Sequence, residues 1–208
     1  MTAVKICGIT RHEDAEAAAR FGASYIGFVL WPNSPRAASL AIVTTIVASL
    51  PDSVTPVGVF VDPTAQQIND AAAAGIRLAQ VHGDSPAELS AVAIPVLRAV
   101  HLSAQDRGID PDIPDELILL DTHDPVKHGG TGKTVDWKRA QVVARTRRVI
   151  LAGGLTAFNV RSAIEQVRPF AVDVASGVES SPGIKDHGLL RAFITAARAA
   201  EGTESTDG

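Results

Sequence analysis

A chain of 208 residues with a formal net charge of −4 has material for one sizeable core, and it lacks the basic footprint that nucleic acid or an anionic membrane surface would require. A single cysteine excludes an internal disulfide framework and fits a reducing, cytoplasmic setting. No apolar run reaches the roughly 18 residues that predict a membrane-spanning helix, and the first residues do not read as a targeting signal.

In chain order, apolar runs and alanine-rich helical stretches alternate with few interruptions. Val4 to Cys7 reads as a first buried strand, and Arg11 to Phe21 as a helix stopped by Gly22, with Ala15, Ala18 and Ala19 on one face. Tyr25 to Leu30 is a second strand, followed by the two-proline loop Trp31 to Arg36 and a helix from Ser39 to Leu50. Pro56 to Val61 is a third strand, and a helix opened by Pro63 and Thr64 runs to Ala74, where Gly75 closes it. Leu78 to Val81 leads into His82-Gly83-Asp84, with a short helix expected at 86–92. Ile94 to Val100 is a fifth strand, and His101 to Asp115 carries little helical periodicity. Leu117 to Leu120 ends in Asp121, before a long loop from Thr122 to Thr134 and a helix from about Asp136. Arg148 to Ala152 ends in Gly153-Gly154, with a helix from Ala157 to Val167 after it. Phe170 to Val174 ends in Ala175-Ser176-Gly177, and Asp186 to Ala200 forms the last helix. Eight such units predict an α/β fold, a single-domain (β/α)8 TIM barrel over residues 1–200, with a disordered polar tail at 201–208.

In a barrel of this kind, residues just past the strand ends form the active face. They are Cys7, Arg36, Gln80, His82, Asp121, Gly153, Gly154, Ser176 and Gly177. The glycine-rich ends of strands seven and eight suit a phosphate held by backbone N–H groups; tight turns alone would also account for them. Cys7 and Asp121 fall on nearly opposite sides of the ring, where two groups facing a substrate can divide the work of base and acid. A cysteine packed as a small hydrophobe is the plain alternative, and a Cys7–His82 hydrolytic pair is another. Lys5 either points into the barrel or supports a neighbour. The run Gly130-Thr131-Gly132-Lys133-Thr134 lacks the glycine that a nucleotide-binding P-loop needs, because Lys127 stands in its place; it reads as a glycine-hinged loop over strand six. The histidines lack metal-ligand spacing, so no metal and no cofactor is expected; His12 and His187 read as surface residues.

Taken together, KICGIT (5–10), GFVLWPNSPR (27–36), VGVFV (57–61), QVHGD (80–84), LLDT (119–122), GGTGKTVDW (129–137), AGGL (152–155) and VDVASGVE (172–179) resemble phosphoribosylanthranilate isomerase, in order and over nearly the whole chain. The resemblance implies an Amadori rearrangement of N-(5-phosphoribosyl)anthranilate to the carboxyphenylamino-deoxyribulose phosphate, a step of tryptophan synthesis. It implies Cys7 as general base, Asp121 as general acid, Arg36 as partner of the anthranilate carboxylate and His82 in a supporting role. The phosphate would sit at Gly153, Gly154, Ser176 and Gly177. A thiol is mostly protonated at neutral pH, so the site must favour thiolate, through the cationic iminium or Lys5. Val81, Ser85, Val135 and Ala175 depart from the commonest forms of these motifs, and none is the presumed acid or base. Asp173 is expected to support the strand end. The implied partner is a small phosphosugar, with the protein a monomer or homodimer. Bifunctional histidine/tryptophan-pathway isomerases use an aspartate pair, which Cys7 argues against; a non-catalytic phosphosugar-binding barrel would be expected to lose the acid or the base.

Overall fold

The structure, a computed structural model, describes residues 1–83, 92–101, 117–121 and 137–200. Eight parallel strands close into a barrel in chain order: β1 Ala3–Cys7, β2 Tyr25–Val29, β3 Thr55–Val61, β4 Leu78–His82, β5 Val96–His101, β6 Leu117–Asp121, β7 Arg148–Ala152 and β8 Ala171–Val174, with β8 pairing back onto β1. The described helices are α1 His12–Phe21, α2 Leu40–Val47, α3 Ala65–Ala73, α4 Trp137–Ala144, α5 Val160–Val167 and α6 His187–Ala199. A short 3-10 turn, Ser176–Val178, and a small hairpin of β9 Glu179–Ser181 and β10 Ile184–Lys185 separate β8 from α6.

The period-two alternation of the strands sorts the apolar residues into two sets. Val4, Ile6, Ile26, Phe28, Ile118, Leu120, Val149, Leu151, Val172 and Val174 face outward and pack with Ala15, Val43, Ile68, Ala163 and Phe193 of the helices. Leu97, Leu119, Ile150, Ala152 and Ala171 form a separate cluster inside the barrel. Full burial of each large aliphatic or aromatic side chain contributes about 1.5–3 kcal/mol before the entropy of ordering is subtracted. On α1 the buried face is Asp14, Ala15, Ala17 and Ala18, so it is wider and more polar than the alanine stripe expected there.

The helix starts follow local chemistry. Thr64 accepts from Gln67 N while the Gln67 side chain accepts from Thr64 N, a capping box for α3. Asp186 caps α6 by accepting from Leu189 N at 2.9 Å, so the last helix runs from 187 rather than 186. α5 begins three residues later than expected. Asn159 accepts from Thr156 N and donates to the Gly154 carbonyl, and this holds 156–159 as a turn. β5 begins after Pro95, which has no N–H to give to the ladder. The helix expected at 86–92 (apart from Val92), residues 102–116, the loop Thr122 to Thr134 and the tail from Glu201 lie outside the described residues. Among the described residues, no helix is long and apolar enough to cross a membrane.

Candidate active site

The alternation that sends Leu119 and Ile150 inward sends the last residues of their neighbours inward too. Cys7 ends β1 level with Gly27, His82 ends β4 level with Val61, and Asp121 ends β6 level with Ala152. Cys7 and Asp121 thus occupy inward positions at the C-terminal rim, with β7 and β8 between their strands on the shorter arc. Cys7 is buried at 7% exposure, and Asp121 and His82 are half-buried. Gln80, one inward step below His82, is buried and places its Nε2 2.8 Å from His82 Nε2.

Below Cys7 lies Lys5, fully buried, whose ammonium donates to Asp173 Oδ1 at 3.0 Å. Burial alone would lower the Lys5 pKa, but Asp173 and Cys7 outweigh it and hold the group above its ordinary value, so it stays a cation. Burial pushes the Cys7 thiol up; Lys5 opposes that, Asp173 reinforces it and Lys185 opposes it more weakly. The expectation that Lys5 draws Cys7 toward thiolate holds for the direction of its pull, but in the free protein burial wins. Gly27 explains why the space exists: a Cβ there would lie 3.0 Å from Cys7 Sγ and 3.2 Å from Lys5 Nζ.

Arg36 reaches the same mouth from the loop after β2. Ser34 Oγ accepts from Arg36 N at 3.1 Å and fixes the turn around Pro35. The arginine side chain then crosses Gly8, where φ is +74° and a Cβ would lie 2.7 Å from Arg36 Cδ. One edge of its guanidinium is taken: Nε donates to Glu179 Oε1 at 2.8 Å and to Oε2 at 3.1 Å, and Nη2 donates to Oε2 at 2.6 Å. Lys185 Nζ donates to the same carboxylate at 2.8 Å and to the Ala175 carbonyl at 3.1 Å. Glu179 and Lys185, absent from the sequence-based set, belong to this cluster. Glu179 and its partner Arg36 are 143 positions apart, and Lys185 and its partner Asp14 are 171 apart, so no local pattern reveals them.

The hairpin that carries Glu179 and Lys185 is tied to the start of the chain. Thr10 Oγ1 donates to the Gly183 carbonyl at 2.6 Å, and buried Asp14 accepts from Lys185 N at 3.1 Å, from Arg11 and from His187 Nε2 at 2.9 Å. His187 is thus half-exposed but paired, rather than a plain surface residue. Burial would raise the Asp14 pKa, yet the Arg11, Lys185 and His187 hydrogen bonds hold the carboxyl below its ordinary value.

At the ends of β7 and β8, Gly153 and Gly154 both have positive φ, at +91° and +64°, and the space over Gly154 is open. Gly177 is fixed by packing, since a Cβ there would collide with the Leu155 carbonyl oxygen. Ser176, next to it, is exposed.

These features define a (β/α)8-barrel enzyme with its polar groups gathered on the C-terminal face. The sequence profile of the family described as N-(5'phosphoribosyl)anthranilate (PRA) isomerase matches residues 4–196. N-(5'-phosphoribosyl)anthranilate isomerase of Geobacter metallireducens is 45% identical over 204 residues, covering 96% of this chain and all of that one. The crystal structure of phosphoribosyl anthranilate isomerase from Thermotoga maritima superposes with a TM-score of 0.84 at 42% identity, covering 96% of this chain and 100% of that one. A crystal structure of phosphoribosyl anthranilate isomerase in complex with reduced 1-(o-carboxyphenylamino)-1-deoxyribulose 5-phosphate matches with a TM-score of 0.80 at 39% identity, with the same coverage. The chain belongs to the phosphoribosylanthranilate isomerase family, and it is an isomerase of tryptophan biosynthesis.

Proposed function

We propose that the protein, acting in the cytoplasm, converts N-(5-phosphoribosyl)anthranilate to 1-(2-carboxyphenylamino)-1-deoxyribulose 5-phosphate, with Cys7 as general base and Asp121 as general acid. The observation that carries this reading is the inward placement of Cys7 and Asp121 at the ends of β1 and β6, on two sides of one mouth. Asp121 in its protonated form gives a proton to the furanose ring oxygen. The amine lone pair expels that oxygen, the ring opens and a cationic Schiff base forms. Cys7 as thiolate takes the C2 proton, leaving an enolamine that tautomerises to the aminoketone. The iminium charge adds to the pull of Lys5 at the moment the thiolate is needed, and together they offset the burial that keeps the free thiol protonated. Arg36 holds the anthranilate carboxylate, and a guanidinium suits that geometry. Gly153, Gly154, Ser176 and Gly177 hold the phosphate through backbone N–H groups, and His82 supports the mouth.

The test is the loss of phosphoribosylanthranilate fluorescence, with substrate generated in situ, on adding wild type, Cys7→Ala or Asp121→Asn. Rapid loss with wild type and rates lowered about 10²- to 10⁴-fold in each variant are expected. A Cys7→Ala protein as fast as wild type would overturn the mechanism.

A further inference from the structure

We propose that Glu179 is a positioning residue for Arg36: it holds one edge of the guanidinium so that the remaining Nη1 donor is presented to the carboxylate on the substrate ring. The inference rests on the reading of Arg36 as carboxylate anchor and deepens it. Glu179 takes three hydrogen bonds from Arg36 Nε and Nη2, while Nη1 makes none among the described residues. A free arginine on a loop has several rotamers to lose when it binds, whereas a fork already clamped at one edge has given up that freedom in advance.

The clamp is itself held. The Glu179 side chain is 4% exposed against 23% for Arg36, so the carboxylate is the buried anchor and the guanidinium the accessible partner. Lys185 Nζ and Gly183 N donate to Glu179 Oε1 at 2.8 and 3.2 Å, so the carboxylate cannot swing away with the arginine. The hairpin bearing these residues is pinned by Thr10 and Asp14, in and just after the KICGIT stretch that also carries Cys7 and Gly8. One set of contacts therefore ties the anchor for the ring carboxylate to the strand that carries the base. Without Glu179 the arginine keeps its charge but loses its direction.

The experiment compares kcat/KM for N-(5-phosphoribosyl)anthranilate and for the same compound lacking the ring carboxylate, N-(5-phosphoribosyl)aniline, in four proteins: wild type, Arg36→Ala, Glu179→Gln and the double variant. Wild type should prefer the carboxylated substrate and Arg36→Ala should lose that preference. Glu179→Gln should lose roughly tenfold of it, mainly through KM for the carboxylated substrate, with kcat/KM for the aniline compound changing much less. The double variant should be no worse than Arg36→Ala, because both changes break one device. Should Glu179→Gln fold poorly, Glu179→Asp keeps the charge but draws the carboxylate back by a methylene; it too should lose preference while its denaturation midpoint stays near wild type. If Arg36→Ala loses the preference and a folded Glu179 variant keeps or increases it, the positioning role is wrong. If Arg36→Ala keeps the preference, the carboxylate-anchor reading fails, and the proposal with it.

Discussion

The two sides of the barrel interior are built from opposite materials. Around β5, β6 and β7 the buried inward residues include Leu97, Leu119, Ile150 and Ala152, all apolar. Around β8 and β1, above Ala171, they include Lys5, Cys7 and Asp173, with Arg36, Glu179 and Lys185 beside them. The apolar side chains stabilise the fold, and the chemistry proposed for that arc is confined to its rim, at Asp121. The charged side bears a desolvation cost that a hydrophobic replacement of the same shape would avoid, so stability alone does not explain it. What it supplies is polarity: three cations face two carboxylates, leaving one positive charge for the Cys7 thiolate or a substrate anion to neutralise. The difference teaches that this barrel holds its rigid packing and its ionic machinery on separate arcs of one ring.

The largest effects should come from the two rim residues proposed as base and acid, one on each arc. Cys7→Ala and Asp121→Asn should each lower turnover about 10²- to 10⁴-fold, with thermal midpoints close to wild type. A substitution on each arc should then separate rate from stability. Lys5→Met strands the Asp173 carboxylate in the interior and should cost about 3–5 kcal/mol in denaturant unfolding, along with activity. Leu119→Ala, on the apolar arc, should cost about 2–5 kcal/mol, while turnover per folded molecule stays within a few-fold of wild type. The smallest effect belongs to neither arc. Glu165→Gln removes the exposed i,i+4 pair with Arg161 on α5 and should cost about 0.2–0.5 kcal/mol, with no change in rate.

The barrel was legible in the sequence because strand and helix periodicity are local. Runs such as Leu117 to Leu120 and Arg148 to Ala152 gave both the strand and the residue at its rim. That rule alone puts Cys7 and Asp121 at strand ends on the mouth. Boundaries went astray where a side chain rather than a pattern decides them, as at Asn159 and Asp186. The ionic cluster was the least legible part. Lys5 stands out inside an apolar strand, but its partner Asp173 lies 168 positions on, and Glu179 and Lys185 look like ordinary surface charges until β9 and β10 fold over the start of the chain. The burial that raises the Cys7 pKa is a property of the closed ring, which no window of sequence contains.

The most direct test of the central claim follows Cys7 thiolate and reaction rate together against pH in wild type, Lys5→Met and Asp173→Asn. Thiolate is read by the rate of alkylation, and catalysis by kcat/KM, whose rising limb reports the base of the free enzyme. Lys5 pulls the thiol pKa down and Asp173 pushes it up, so Lys5→Met should move both curves to higher pH and Asp173→Asn should move both to lower pH. Coincident curves shifting in those two directions are the predicted result. A kcat/KM limb that stays in place while the alkylation curve moves would contradict Cys7 as the base.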